Sequence, residues 1–141
     1  KSSSFIYRLN KLFEEGFFTE NKIDTVFVFG GTNDSWSNAP IGDLKFSDIT
    51  QNDLYKVLPA TAFFIKRLKE ILPDANIVFI INCDLKEEIT TGITEAAEHY
   101  QINYIKLKEI DKTENHPTVK GMRQIKEQIL QYLCENSIKI Q

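Results

Sequence analysis

A pair of polar residues, Asn33 and Asp34, follows an apolar run at a point where the chain must turn. The run is Thr25–Phe29, and Gly30 and Gly31 lie between it and Thr32. An asparagine amide held at a strand end is a neutral donor suited to stabilising the oxyanion of an acyl-transfer intermediate. Glycine permits the tight turn and a close approach of substrate. We therefore predict that Asn33 is an oxyanion donor and that Asp34 holds the turn through backbone hydrogen bonds.

The second group able to do chemistry is His116, one of two histidines in the chain. Pro117 follows it and is expected to lie in the first turn of a helix, where it would fix the direction of the imidazole. Such an imidazole can act as a general base that takes a proton from a serine hydroxyl and returns it to the leaving alcohol. A solvated histidine at a helix start is the alternative. The other histidine, His99, is expected at a helix C-terminus in a structural or surface role.

Three further side chains have weaker signals. Trp36 comes just after the Gly31 to Asp34 segment, and it either forms the wall of a substrate pocket or packs within the loop. Cys83 follows another apolar run, and a thiol nucleophile paired with His116 is conceivable. Two reduced, partly buried thiols are the simpler interpretation of Cys83 and Cys134. The sequence shows no set of residues with metal-ligand spacing, so neither a metal nor an organic cofactor is expected.

The elements that must position these residues alternate between helical and strand patterns. We predict helices over residues 5–15, 53–72, 85–100 and from about 117 onwards, strands over 25–29, 76–81 and 104–107, and loops over 30–52 and 109–115. The last helix is expected to bury Met122, Ile125, Ile129 and Leu133. The continuous apolar strands are typical of a parallel sheet covered on both faces. The order predicts one α/β domain over residues 1–141, with its active residues beyond the carboxyl ends of the strands.

Two motifs together resemble blocks of the SGNH (GDSL-type) hydrolases, including a bacterial subgroup of acylhydrolases. Gly31-Thr32-Asn33-Asp34 matches the Gly-x-Asn-Asp of the third block, and His116-Pro117, with Gly121 four residues later, matches the fifth. The resemblance implies a flavodoxin-like three-layer α/β/α sandwich with a parallel sheet. It also implies a serine-dependent ester hydrolase that removes O-acyl groups from a small ester or an acylated carbohydrate, with Gly31, Asn33, Asp34 and Trp36 in its oxyanion and substrate loop.

The chain departs from the family pattern at the acid that orients the histidine. The family places this acid three residues before the histidine, where this sequence has Thr113. Asp111 and Glu114 are the available carboxylates, and Asp111 is the candidate catalytic acid if the loop bulges. Otherwise a backbone carbonyl or Thr113 holds the ring.

The family's nucleophile, the serine of a Gly-Asp-Ser motif after the first strand, has no counterpart here. The nearest serines precede a helix or lie in a turn: Ser2, Ser3, Ser4, Ser35 and Ser37. The glycine of the second block is also not identifiable. Since Lys1 is not a start methionine, we expect the nucleophile upstream of it, on about two strands outside this chain. We also expect the chain alone to be inactive and its exposed edge to pair with that segment or with a neighbouring molecule.

Composition narrows the classes of partner. The 17 Lys and Arg residues are scattered among 20 Asp and Glu residues, for a net charge of -3, which argues against nucleic acid and anionic membranes as partners. No apolar run approaches the roughly 18 residues that span a bilayer. Compartment, oligomeric state and acyl specificity have no signature in the sequence. A non-catalytic flavodoxin-like module that binds a ligand or partner at the strand ends is the second hypothesis.

Overall fold

The computed structural model describes residues 4–136, in which helices and strands alternate as predicted. The helices are α1 Phe5–Glu14, α2 Phe17–Glu20, α3 Thr32–Trp36, α4 Val57–Ile71, α5 Glu87–His99 and α6 Val119–Glu135, and the strands are β1 Thr25–Phe29, β2 Asn76–Ile81, β3 Asn103–Lys106, β4 Lys112–Thr113 and β5 His116–Pro117. Ser4 caps α1, whereas the predictions for Ser2 and Ser3 lie outside the described residues.

The main sheet has the order β1-β2-β3, and both strand pairs are parallel. The side chains of β2 alternate between two apolar clusters. Ile77, Phe79 and Ile81 pack with α1, α4 and α5, while Val78 and Ile80 pack with α6. Helices therefore cover both faces of the central strand, and the predicted three-layer α/β/α sandwich is confirmed.

Strand β1 lies at an edge of this sheet, and the prediction that it is covered on both faces is wrong. Val28 is buried toward α4, but Phe27 and Phe29 are 40% and 41% exposed. The reason is that α6 packs on β2 and β3, so no helix of residues 4–136 covers the same face of β1. Two phenylalanine side chains are consequently exposed on that face, and one backbone edge of β1 pairs with no strand in the described part of the chain.

The long loop predicted over residues 30–52 contains a short helix, α3, that includes the Asn33 segment. The predicted helix from residue 53 begins instead with a 3-10 turn, Asp53–Tyr55, before α4. Asp53 stabilises this loop, because its buried carboxylate accepts hydrogen bonds from the Thr50 N–H, the Thr50 hydroxyl and the Lys45 ammonium. Those bonds, the Thr50 backbone bond first, hold the pKa of Asp53 well below its usual range.

The loop predicted over residues 109–115 is largely a β-hairpin. Strands β4 and β5 are antiparallel, with Thr113 opposite His116, and the two turn residues, Glu114 and Asn115, have φ of 49° and 65°. Pro117 therefore lies in β5 rather than in the first helical turn, and that prediction is wrong. Helix α6 begins two residues later because Thr118 supplies the N-cap, accepting from the Gly121 N–H at 3.1 Å.

The predicted inner face of α6 is only partly correct. Ile125 and Leu133 are buried and Ile129 packs against the core, but Met122 is 57% exposed. Gly121 lies on the inner face immediately before Met122, where the helix approaches the Asp111 backbone too closely for a side chain. The close approach brings the glycine inward and turns Met122 to solvent.

Candidate active site

Three segments meet at the carboxyl edge of the sheet. They are α3, which follows β1, the exit of β2 at residues 82–84, and the hairpin β4–β5, which precedes α6. Side chains connect all three, through Asn82 to Thr32, Asp84 to Lys112 and Trp36 to His116. The edge that parallel topology favours for chemistry thus brings together the two segments that carry Asn33 and His116.

Asn33 lies in the first turn of α3, which begins after Gly31. The φ of Gly31 is 89°, a left-handed conformation that glycine adopts without strain and that lets the chain leave β1 and enter the helix at once. The Asn33 side chain is exposed and makes no hydrogen bond within residues 4–136. Its amide is therefore available to a ligand at this edge.

Asp34 is also exposed, and in the described part of the chain its carboxylate bonds to nothing. Only its backbone carbonyl takes part in the turn, accepting from the Ala39 N–H at 3.0 Å. Asp34 thus takes part in the turn through its main chain, and a role for its side chain stays a prediction.

The contacts that do hold α3 come from the β2 exit. The buried Asn82 donates its amide to the Thr32 hydroxyl at 3.1 Å, and the buried Ser35 hydroxyl accepts from the Lys86 N–H at 3.0 Å. Lys86 also donates its ammonium to Asn38 at 2.6 Å. Residues 82–84 were expected at this edge, but no role was predicted for Asn82 itself, and Ser35 was expected to be a turn residue. A polar residue directly after the apolar residues of β2 was the available signal for Asn82.

His116 projects from the hairpin as an exposed side chain. Within residues 4–136 its imidazole has no hydrogen bond and no ion pair. Its ring contact is with Trp36, with centroids 5.9 Å apart and planes at 88°, a T-shaped arrangement. Trp36 is 38% exposed, and so the pair lies at the surface of the edge.

Asp111, the predicted catalytic acid, bonds to a residue other than His116. Its carboxylate accepts from the Thr118 hydroxyl, and its carbonyl accepts from the Thr118 N–H at 3.1 Å. Its own N–H donates to the Gln124 side chain at 2.8 Å. Glu114 is exposed at the hairpin turn. That a carboxylate bonds to the His116 ring stays a prediction. So does the alternative that Thr113, which lies opposite His116 in the hairpin, holds the ring.

An ion pair joins the hairpin to the β2 exit. The Lys112 side chain is 14% exposed, and its ammonium lies 3.0 Å from the Asp84 carboxylate. The hydrogen bond from Lys112 lowers the pKa of Asp84, and the neighbouring Cys83 adds to the lowering. Burial lowers the pKa of Lys112, but the Asp84 carboxylate and the nearby Cys83 outweigh burial and raise that pKa overall.

Among residues 4–136, the remaining sequence candidates make no hydrogen bond or ring contact with His116. Cys83 is a free thiol that donates to the Asn82 side chain at 3.7 Å, and Cys134 is free and exposed rather than partly buried. His99 stacks on Phe46 with centroids 3.7 Å apart at the end of α5, in the structural role predicted for it. Among residues 4–136, no helix has the length and apolar character required to cross a membrane.

Comparison with known proteins shows that this chain is similar to GDSL-like lipases and acylhydrolases. The sequence profile of the family described as GDSL-like Lipase/Acylhydrolase matches residues 1–133. Two crystal structures named for GDSL-like lipases, from Bacteroides uniformis ATCC 8492 and Bacteroides ovatus ATCC 8483, share 39% identity with it at a TM-score of 0.84. Each match covers 94% of this chain, and 59% and 60% of theirs.

A more distant structure shares the fold alone. It is the acetyl xylan esterase Est2A from the rumen bacterium Butyrivibrio proteoclasticus, at 21% identity and a TM-score of 0.59, over 84% of this chain and 38% of that one. No curated protein matches the sequence at a significant level.

Proposed function

We propose, from the premise that this chain belongs to the GDSL-like lipase/acylhydrolase family, that it supplies the general base and an oxyanion donor of an ester hydrolase. The chain spans about three fifths of the length of the two Bacteroides relatives. The activity of the whole protein is therefore part of the proposal.

The observation that carries this proposal is the meeting of α3 with the β4–β5 hairpin. Within residues 4–136, an asparagine amide and an imidazole without hydrogen-bond partners lie on these two segments, which touch through Trp36 and His116. A neutral donor and a base at one edge are the groups that ester hydrolysis requires, because negative charge develops on the carbonyl oxygen while a proton leaves the nucleophile.

The proposed mechanism assigns one role to each group. His116 removes the proton from a serine hydroxyl as that oxygen attacks the ester carbonyl, and then gives the proton to the departing alcohol. Asn33 donates its side-chain N–H to the oxyanion of the tetrahedral intermediate. Water then attacks the acyl-enzyme, with His116 again serving as base. The substrate class is a small O-acyl ester, with acylated carbohydrate included.

The serine is proposed to come from a strand that pairs with the free edge of β1. Support comes from β1 itself, which among the described residues pairs only with β2 and so leaves its other backbone edge free. A strand added parallel to β1 would end at the same edge as Asn33 and His116, since the carboxyl ends of parallel strands coincide.

The test uses the full-length gene product and short-chain aryl acetates. His116→Ala should reduce kcat by at least about 1000-fold, and Asn33→Ala by about 100- to 1000-fold, the usual loss of one oxyanion donor. His99→Ala and Asn76→Ala, an exposed asparagine at the start of β2, are matched controls away from this edge and should stay near wild type. Equal rates in wild type, His116→Ala and Asn33→Ala would overturn the hydrolase proposal and favour a non-catalytic binding module.

A further inference from the structure

We propose that Trp36 is a positioning residue that holds the His116 imidazole in its working orientation, in the place where a carboxylate would usually do so. This inference rests on the proposed function for its catalytic consequence. It goes beyond that function because it gives Trp36 a role toward the base rather than toward the substrate.

The first support is the surroundings of the imidazole. A histidine side chain turns about two bonds, and a catalytic histidine is usually restrained by a hydrogen bond to its second ring nitrogen. No such bond is made within residues 4–136, where the Asp111 carboxylate binds Thr118. The T-shaped contact with Trp36, with centroids 5.9 Å apart, is the ring contact of His116 in the described structure. Aromatic pairs favour this geometry.

The second support is that both rings project from braced segments. Helix α3 is bound to the β2 exit by the Asn82–Thr32 hydrogen bond and by the bond from the Lys86 N–H to Ser35. The hairpin is held by the Lys112–Asp84 ion pair and by the bonds between Asp111 and Thr118. The main chains beneath the two rings are therefore fixed relative to each other.

The position of Trp36 also links the two catalytic groups. It lies three residues after Asn33 on the same helix. One short element therefore places the oxyanion donor through Asn33 and the base through Trp36. A shift of α3 would displace both groups together. Because both groups act in the chemical step, substitutions of Trp36 should affect kcat more than KM.

The contact can be measured without any substrate. Trp36 is the single tryptophan of the 141 residues, and a protonated imidazole in contact with an indole quenches its fluorescence more strongly than a neutral one. The emission of Trp36 is the emission of the full-length protein minus that of its Trp36→Phe variant. This subtraction removes the contribution of any other tryptophan. The Trp36 emission should change when acid protonates the imidazole, and emission spectra over a series of pH values follow that change.

Controls assign that change to one ring. The change should vanish in His116→Gln and persist in His99→Gln. It should also persist in Asp34→Asn and Glu114→Gln, which remove the exposed carboxylates of α3 and of the hairpin turn and leave the Lys112–Asp84 ion pair intact. An unaltered change in His116→Gln, or no change in wild type, would overturn the proposal.

Kinetics then test the consequence. Trp36→Phe keeps an aromatic partner and should retain most of kcat, whereas Trp36→Leu should lose about 10- to 100-fold in kcat at little change in KM, as expected for a slightly misplaced base. A raised KM with unchanged kcat in Trp36→Leu would overturn the proposal and make Trp36 a substrate-wall residue. An emission change that depends on His116 in a protein without esterase activity would instead leave the ring contact standing and remove the proposed function.

Discussion

The Asp111 carboxylate accepts a hydrogen bond from the Thr118 hydroxyl, while the Asp111 carbonyl accepts from the Thr118 N–H at 3.1 Å. These two residues flank the hairpin that carries His116, and Thr118 is also the N-cap of α6. Their bonds therefore close the base of the hairpin and set where the imidazole lies. The Asp111 carboxylate, which was expected to orient His116, is thus already hydrogen-bonded to Thr118.

Asp111→Asn and Thr118→Val should accordingly have similar effects. Asp111→Asn keeps an oxygen that can accept from the Thr118 hydroxyl, and Thr118→Val removes the donor of that bond. Neither change removes a catalytic group, so kcat should fall in each variant by a modest factor, about tenfold or less. Loss of a true triad acid costs about 10 000-fold in a serine protease. Steady-state kinetics on both variants make the comparison. A loss of that size in Asp111→Asn, with Thr118→Val near wild type, would show that Asp111 is the catalytic acid.

Gly121→Ala should destabilise the hairpin. A methyl group at Gly121 would overlap the Asp111 carbonyl oxygen and press on Ile110. Because the obstacle is backbone, we expect a loss of about 1–3 kcal/mol in the free energy of unfolding, the usual cost of overpacking. Urea unfolding measures it. Lys120→Ala, an exposed neighbour on α6, is the control, and equal stability of the two variants would contradict the close approach.

Asn82→Ala should loosen α3. Asn82 is 7% exposed and its amide donates to the Thr32 hydroxyl, so its removal leaves that hydroxyl without the bond and costs about 1 kcal/mol of stability. Activity should fall as well, because Asn33 follows Thr32 directly. Thr32→Val removes the other partner, and the double variant should be less impaired than the sum of the two single variants. Fully additive effects would show that the bond is not formed.

The Lys112–Asp84 ion pair should make stability depend on acid pH. Asp84 has a folded pKa lowered from 3.8, so the stabilisation is present above that value and is lost as pH falls through the lowered one. The Asp84 side chain is 76% exposed, so solvent screening limits the effect to at most about 1 kcal/mol. Thermal unfolding at a series of acidic pH values should show a smaller pH dependence for Asp84→Asn than for wild type.

Asp74→Asn is the matched control for that measurement, because Asp74 is an exposed aspartate of the loop between α4 and β2, with no ion pair among the described residues. It should keep the wild-type pH dependence. A charge exchange, Asp84→Lys with Lys112→Asp, should restore part of the stability that either single substitution removes. A wild-type profile in Asp84→Asn would mean that the ion pair adds nothing to folding.

Local patterns in the sequence predicted most of the fold. Apolar runs and helical periodicity identified the three strands of the main sheet, and Gly31 lies where its backbone preference suggested. The errors occurred where a local preference met a tertiary contact. Pro117 is in a strand because the turn at residues 114–115 folds the chain back, and Met122 is exposed because Gly121 takes the inward position.

The sequence by itself determined the alternating elements, the family and the candidate pair Asn33 and His116, because propensities and motifs are properties of neighbouring residues. Only the tertiary structure decided which side chains meet: Asn82 with Thr32, Asp84 with Lys112 and Trp36 with His116. Those partners lie 28 to 80 residues apart in the chain. Their contacts depend on the parallel register of β1 on β2 and on the placement of the hairpin, which no local pattern encodes.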